Sequence, residues 1–186
     1  ELFESGLSVG TQVANASGVY HFTGLGLSSG THQVVATVGE TSITTELHIG
    51  SGSSNSITTG EFAYALVEGR QGDDQIDLSL GGQATLLYGD LGHSNTGNNG
   101  HDTVTGFTIG DAASDPNADI IDLADLLQGE SLPTISGFVD VVASGSDTQV
   151  WIDRDGGGST YAGTLLLTLN GTSTDLQTLI TNGQLL

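Results

Sequence analysis

Apolar and polar residues alternate along the chain in short stretches, broken by Gly, Ser, Asn and Asp. Residues 34–38 and 43–49 read as strands, the second alternating apolar and polar, with Gly39 and Glu40 turning between them. Residues 19–23 make another strand, after a turn at 15–18. Further strands are expected at 62–67, 85–88, 138–142, 149–152 and 164–169. Two segments change period. Residues 120–127 place Leu123, Leu126 and Leu127 at helical spacing, with Gly129 as the cap. Residues 175–182 do the same with Leu176, Leu179 and Ile180, with Ser173 or Thr174 as N-cap and Gly183 as the stop. The expected fold class is therefore all-β with two short helices. Residues 51–60 are small and polar without a period, so they read as a linker between residues 1–50 and residues 61–186.

Composition sharpens this picture. The 186 residues carry 22 Asp and Glu against 2 Lys and Arg, a formal net charge of −20. Such a surface repels phosphate backbones and anionic lipid, so nucleic acid is excluded as a default partner. Cations remain. There is no Cys, which removes disulfides and thiolate metal sites, and no apolar run is long enough for membrane insertion as a helix. No basic stretch followed by an apolar one opens the sequence, so a Sec-type leader is not read in it. Every Asp lies between Asp73 and Asp175, and 29 Gly point to tight turns.

Two nonapeptides carry the strongest chemistry, residues 69–77 (GRQGDDQID) and 97–105 (GNNGHDTVT). Both fit the G-x-x-G-x-D-x-U-x core of a calcium-binding repeat. In that pattern Gly72 and Gly100 turn the backbone so that carbonyls face an ion, and Asp74 and Asp102 supply carboxylates. Asp73 and Asp77 add oxygens in the first copy. Hard oxygen donors, partly from the backbone, are what Ca²⁺ prefers. The copies lie 28 residues apart, which is not a multiple of nine and argues against a continuous parallel β-roll. Asp153 and Asp155, followed by Gly156, Gly157 and Gly158, have the opening logic of a calcium loop, or of an acidic hairpin turn. Asp111, Asp115, Asp119, Asp122 and Asp125 form a third cluster, of which Asp119 and Asp122 are candidate ligands.

From residue 68 onward the chain resembles the C-terminal target domain of type I-secreted repeats-in-toxin (RTX) proteins, particularly large biofilm adhesins. The two nonapeptides carry the likeness, with HDTVTGF at 101–107, DIIDLADLLQG at 119–129, VWIDRDGG at 150–157 and LITNGQLL at 179–186, in the family's order. Residues 18–23 and 27–38 resemble the closing strands of bacterial Ig-like repeats. The resemblance implies part of an Ig-like sandwich, then an RTX-type β-roll or β-sandwich. It implies Ca²⁺, the type I secretion machinery as partner, and the extracellular surface of a Gram-negative bacterium as location, with a surface glycan or protein bound through the parent adhesin. The expected role is non-catalytic: folding on calcium outside the cell and carrying an uncleaved export signal.

Two rival function classes meet the sequence. Residues 6–10 and 26–30 match G-x-S-x-G, but neither precedes a helix, and the five His show no metal-binding spacing, so an enzyme is not expected. A calcium-dependent carbohydrate- or peptide-binding module is the alternative. Trp151, flanked by Val150 and Ile152, reads as a core residue.

Overall fold

Ile57 and Ile76 are nineteen residues apart, as are Ala65 and Ala84, and each pair stands side by side on neighbouring parallel strands. That interval is the period of the fold. The structure, a computed structural model, describes residues 2–4, 7–10, 27–38, 40–61, 63–89, 91–127 and 132–186. The expected strand at 19–23, the turn before it and the Gly129 cap lie outside the described residues. So does part of each G-x-S-x-G segment.

The chain opens with β1 (Leu2–Glu4), β2 (Leu7–Gly10), β3 (Gly30–Val38) and β4 (Thr41–Ile49). Then β5 (Ser56–Thr58), β6 (Tyr64–Glu68), β7 (Gln75–Asp77), β8 (Gln83–Leu87), β9 (Asp102–Thr105) and β10 (Ile120–Asp122) alternate between two sheets. It closes with β11 (Val139–Ser144), β12 (Asp147–Ile152), β13 (Thr164–Asn170) and α1 (Leu176–Thr181). One sheet runs β10-β8-β6-β4-β3-β1-β2, and the other β11-β12-β13-β9-β7-β5. Strands β4, β6, β8 and β10 are parallel neighbours, as are β5, β7, β9 and β13. The protein is thus mainly β, as expected. Its middle is a coil in which each strand crosses to the opposite sheet and returns one turn later.

The 28-residue interval does not interrupt this coil, contrary to expectation. Strand β9 still pairs in parallel with β7, Val104 beside Ile76, because the surplus residues loop out between β8 and β9. The expected linker over 51–60 is also corrected. It contains β5, whose Ile57 is buried, and Gly50 and Gln75 donate backbone hydrogen bonds to Glu68 and Asn55 across successive turns. Strand β4 before it and β6 after it share one sheet.

Inward side chains stack in ranks. Ile57, Ile76, Val104 and Leu169 line one sheet, and His48, Val67, Leu86 and Ile121 the other. Except for His48, all belong to one buried apolar cluster. Fully burying each such aliphatic side chain contributes about 1.5–3 kcal/mol before the entropy of ordering it.

The two helical expectations fare differently. Residues 120–127 begin as β10, paired with β8, and make only one turn of helical bonding, with Leu126 and Leu127 N–H donating to the Leu123 carbonyl. The three leucines do reach the core, at 0–6% exposure. Pairing of Ile120–Asp122 with β8 has taken the residues from which a helix would have started. The second helix forms as α1, but its N-cap is Asp175, whose side chain accepts from Thr178 N–H at 2.7 Å.

Candidate functional site

Strands β5, β7 and β9 are each entered through a turn from the first sheet, with Asn55 and Asp74 just before β5 and β7 and Asp102 as the first residue of β9. Stacking of the strands stacks these three. Asn55 N–H donates to Asp74 Oδ1 at 2.7 Å, and Asp74 N–H donates to Asp102 Oδ1 at 2.9 Å. Each carboxylate therefore braces the turn before it. Both are enclosed, with Asp74 at 0% and Asp102 at 1% exposure.

The glycines make this closeness feasible. A Cβ on Gly69 would fall 2.3 Å from Asp74 Oδ2 and 3.4 Å from Asp102 Oδ2. One on Gly100 (φ +78°) would fall 1.9 Å from the Gly72 carbonyl oxygen. Side chains are excluded there, so backbone and carboxylate oxygens occupy the space between turns.

Two polar atoms in this nest have no hydrogen bond. Asp74 Oδ2 is buried without a partner, and so is the hydroxyl of Tyr88, which stands beside Asp102 but makes no well-aligned bond to it. Burial pushes the Asp102 carboxyl up to about 7, with the neighbouring Asp74 charge adding to the effect. Burial likewise raises Asp74, and it holds the Tyr88 hydroxyl well above its ordinary range. Two carboxylates in one dry nest, one with an unsatisfied oxygen, form a cradle that lacks positive charge.

The other sequence candidates separate into four groups. Asp73 and Asp77 hold backbone N–H groups of turns: Asp73 Oδ1 accepts from His101 N–H of the next turn of the coil at 2.9 Å, and Asp77 Oδ1 accepts locally from Ser79 N–H at 2.9 Å. The Ser79 bonds hold the Asp77 carboxyl below its ordinary value. Asp119, at 1% exposure, is saturated within the chain, accepting from Ala84 N–H and Thr108 N–H at 2.8 Å each. Burial still lifts its carboxyl to about 6. Asp122 lines a cavity of about 280 Å³ with Glu68, Asp125 and the Tyr88–Gly89 segment, at the C-terminal ends of β6, β8 and β10. Asp153 and Asp155 lie in the loop after β12. Asp153 accepts from Asp155 and Gly157 N–H, and Asp155 Oδ2 from Thr160 N–H, leaving Asp155 Oδ1 buried without a partner. Among the described residues no three His, Asp or Glu side chains converge closely enough to hold a metal by themselves.

Sequence reasoning missed Asn55, Tyr88 and Glu68. The signal for Asn55 was present: Gly50, Asn55 and Ile57 precede Gly69, Asp74 and Ile76 by nineteen residues each, a third and degenerate copy inside the supposed linker. Tyr88 falls nineteen residues after Gly69 in the same series, but it stands where the earlier copies have glycine, so the residue type gives no signal for it. Trp151 is also corrected. Val150 and Ile152 point inward, so the intervening Trp151 is on the outer face of β12, at 37% exposure.

At the N-terminal end of the coil, buried Glu46 and His48 lie 2.9 Å apart, with Thr31 Oγ1 3.1 Å from His48 Nδ1. The hydroxyl, imidazole, carboxylate order is that of an activated nucleophile. The contact is not aligned for a hydrogen bond, however, and His48 Nε2 has no other partner, so the base is not oriented. Compared with known proteins, the chain matches no family model and no curated protein.

Proposed function

We propose that this chain is a non-catalytic, calcium-binding module of a secreted bacterial adhesin, of the RTX kind that it resembles in sequence. The observation that carries the reading is the buried Asp74 Oδ2 without a partner, pressed against Asp102 and the glycine backbone of adjoining turns. The donor set suits Ca²⁺: two carboxylates to hold it, the remaining oxygens from backbone carbonyls of the Gly69 and Gly97 turns. Bound there, calcium supplies the charge that lets both carboxylates ionise in a dry interior. The alternation of strands between two sheets agrees with an RTX-type β-roll. The antiparallel β3 and β4 agree with the end of an Ig-like repeat, so residues 1–50 stay as the proposed Ig-like part and 61–186 as the proposed secretion domain, while 51–60, expected as a linker, carries β5 and joins the coil.

The net charge of −20 opposes compaction, and a ligand that binds only the folded state offsets this. One site at a hundredfold excess of free ion over its dissociation constant contributes about 2.7 kcal/mol. Extracellular calcium modules have dissociation constants of about 10⁻⁴–10⁻³ M, so such a site fills outside the cell and not in cytosol. The module would cross the secretion channel unfolded and fold on arrival.

Circular dichroism and thermal melts across a calcium titration, against EDTA and with magnesium as control, test this. Calcium should raise the melting temperature with a midpoint of about 10⁻⁴–10⁻³ M, and the Asp74→Asn, Asp102→Asn double variant should lose that response. A melting curve indifferent to EDTA, or an unchanged response in the double variant, would sink the assignment. A second reading, an adhesion module that itself binds a peptide or glycan, is favoured by the exposure of Trp151.

A further inference from the structure

Strand β12 presents Trp151 on its outer face, directly opposite Asp140 of β11 in the antiparallel register. Side chains so placed on one face have Cβ atoms about 4.5–5.5 Å apart. A cavity of about 230 Å³ opens beside them, lined also by Ser136, Gly137, Phe138 and Asp153. Asp140 is exposed and takes part in no ion pair among the described residues. The chain's own cations are spoken for. Arg154 is buried on backbone carbonyls, and Arg70 lies 3.6 Å from Glu68.

The chemistry of the lining selects the ligand. Two carboxylates offer acceptors, and the indole and phenyl rings offer π faces. Donors are scarce: the indole Nε1 is directed at Gln149 Oε1 at 3.4 Å, which leaves the Ser136 hydroxyl as the one side-chain donor of the lining. A sugar hydroxyl both donates and accepts, so this lining matches only half of it. Ammonium and guanidinium groups donate only, carry the charge that Asp140 lacks, and are attracted to aromatic faces. We infer that the cavity beside Trp151 and Asp140 binds a lysine or arginine side chain of a partner protein. This stands independently of the calcium reading, because neither Trp151 nor Asp140 belongs to the buried nest.

Trp151 is the chain's single tryptophan, so its fluorescence reports on the site alone. The folded protein would be titrated with acetyl-glycyl-lysyl-glycinamide and its arginine counterpart, with the glutamine peptide and a neutral disaccharide as controls, in EDTA and again in calcium. A saturable change for the cationic peptides only, about tenfold weaker in Asp140→Asn, is expected. That variant keeps the reporter, and an unchanged melting curve shows that it folds. An absent response, an equal response in Asp140→Asn, or an equal response to the disaccharide would overturn the inference. So would a concentration-dependent change in the protein alone that Arg70→Gln abolishes, since the cation would then come from a second copy.

Discussion

Asp102 is the residue on which burial, charge and stability meet. Its carboxyl titrates at about 7, and that of Asp119 at about 6, because burial disfavours the ionised form of each. For a group whose pKa is higher folded than unfolded, the contribution to stability is complete below the ordinary carboxylate pKa and is lost as pH rises through the folded value. In EDTA the melting temperature should therefore fall between about pH 4 and 7.5, each group contributing at most about 1.4 kcal/mol per pH unit. Asp102→Asn should flatten the upper part of that slope in melts taken at stepped pH; a slope equal to the parent's would mean that Asp102 is not held protonated. The lowered carboxyls of Asp77, Asp155 and Asp175 titrate below this window and leave the slope alone. Asp74 and Asp102 were legible in the sequence because the nonapeptide is a local pattern. The burial that separates them from Asp73 and Asp77 was not, since adjacent residues differ only in which way the folded turn faces.

At the scale of elements, the turns decide more than the strands. Gly72 adopts φ +111°, and a Cβ there would fall 2.3 Å from Ser54 N and 2.6 Å from Ser53 C. The obstacle is backbone of the preceding turn and cannot swing aside. Gly157 has φ +85° but nothing within 4 Å of a Cβ. Gly157→Ala should cost about 1–2 kcal/mol, the strain of the left-handed conformation alone. Gly72→Ala adds a backbone clash and should cost distinctly more, read as the difference between two urea midpoints. Equal midpoints for the two would mean that the turns are not stacked as described. Strands at 34–38, 43–49, 149–152 and 164–169 were legible as strands because each is rich in apolar and β-branched residues, but their faces were not: in β4 the polar Glu46 and His48 are buried while Ile43 is 56% exposed. Strands β5, β7 and β9 have three or four residues each, too few for alternation to show. Residues 120–127 carried a true helical spacing, which the sheet edge at β8 overrode.

For the whole molecule, Arg154 ties together segments that the coil alone leaves apart. Although 2% exposed, it has no carboxylate partner among the described residues. Its Nε donates to the Leu126 carbonyl at 3.2 Å, and one terminal nitrogen donates to the carbonyls of Gly92 and Ser94 at 2.8 and 2.9 Å. Its guanidinium lies 4.4 Å from the centre of the Tyr161 ring. One side chain thus joins the loop between β8 and β9, the turn after β10 and the loop after β12. Arg154→Met would leave those carbonyls without a donor, at about 1–3 kcal/mol each for any that water cannot reach. A loss of about 3 kcal/mol overall should lower the melting temperature by roughly 6–12 °C in a chain of this size. A melting temperature within 2 °C of the parent in differential scanning calorimetry would refute the clamp.

The sequence by itself determined what depends on neighbours a few residues apart. That covers the mainly β character, the longer strands, α1, the two nonapeptides and a charge that favours cations. Tertiary structure decided which strands pair, that a 28-residue interval still returns to register, that Asn55 stacks under Asp74, and that Trp151 faces outward. The physical reason is that register in the coil is set by contacts between turns nineteen or more residues apart, and the facing of Trp151 by its pairing with β11 and β13. There the burial of a whole rank outweighs the preference of any one segment.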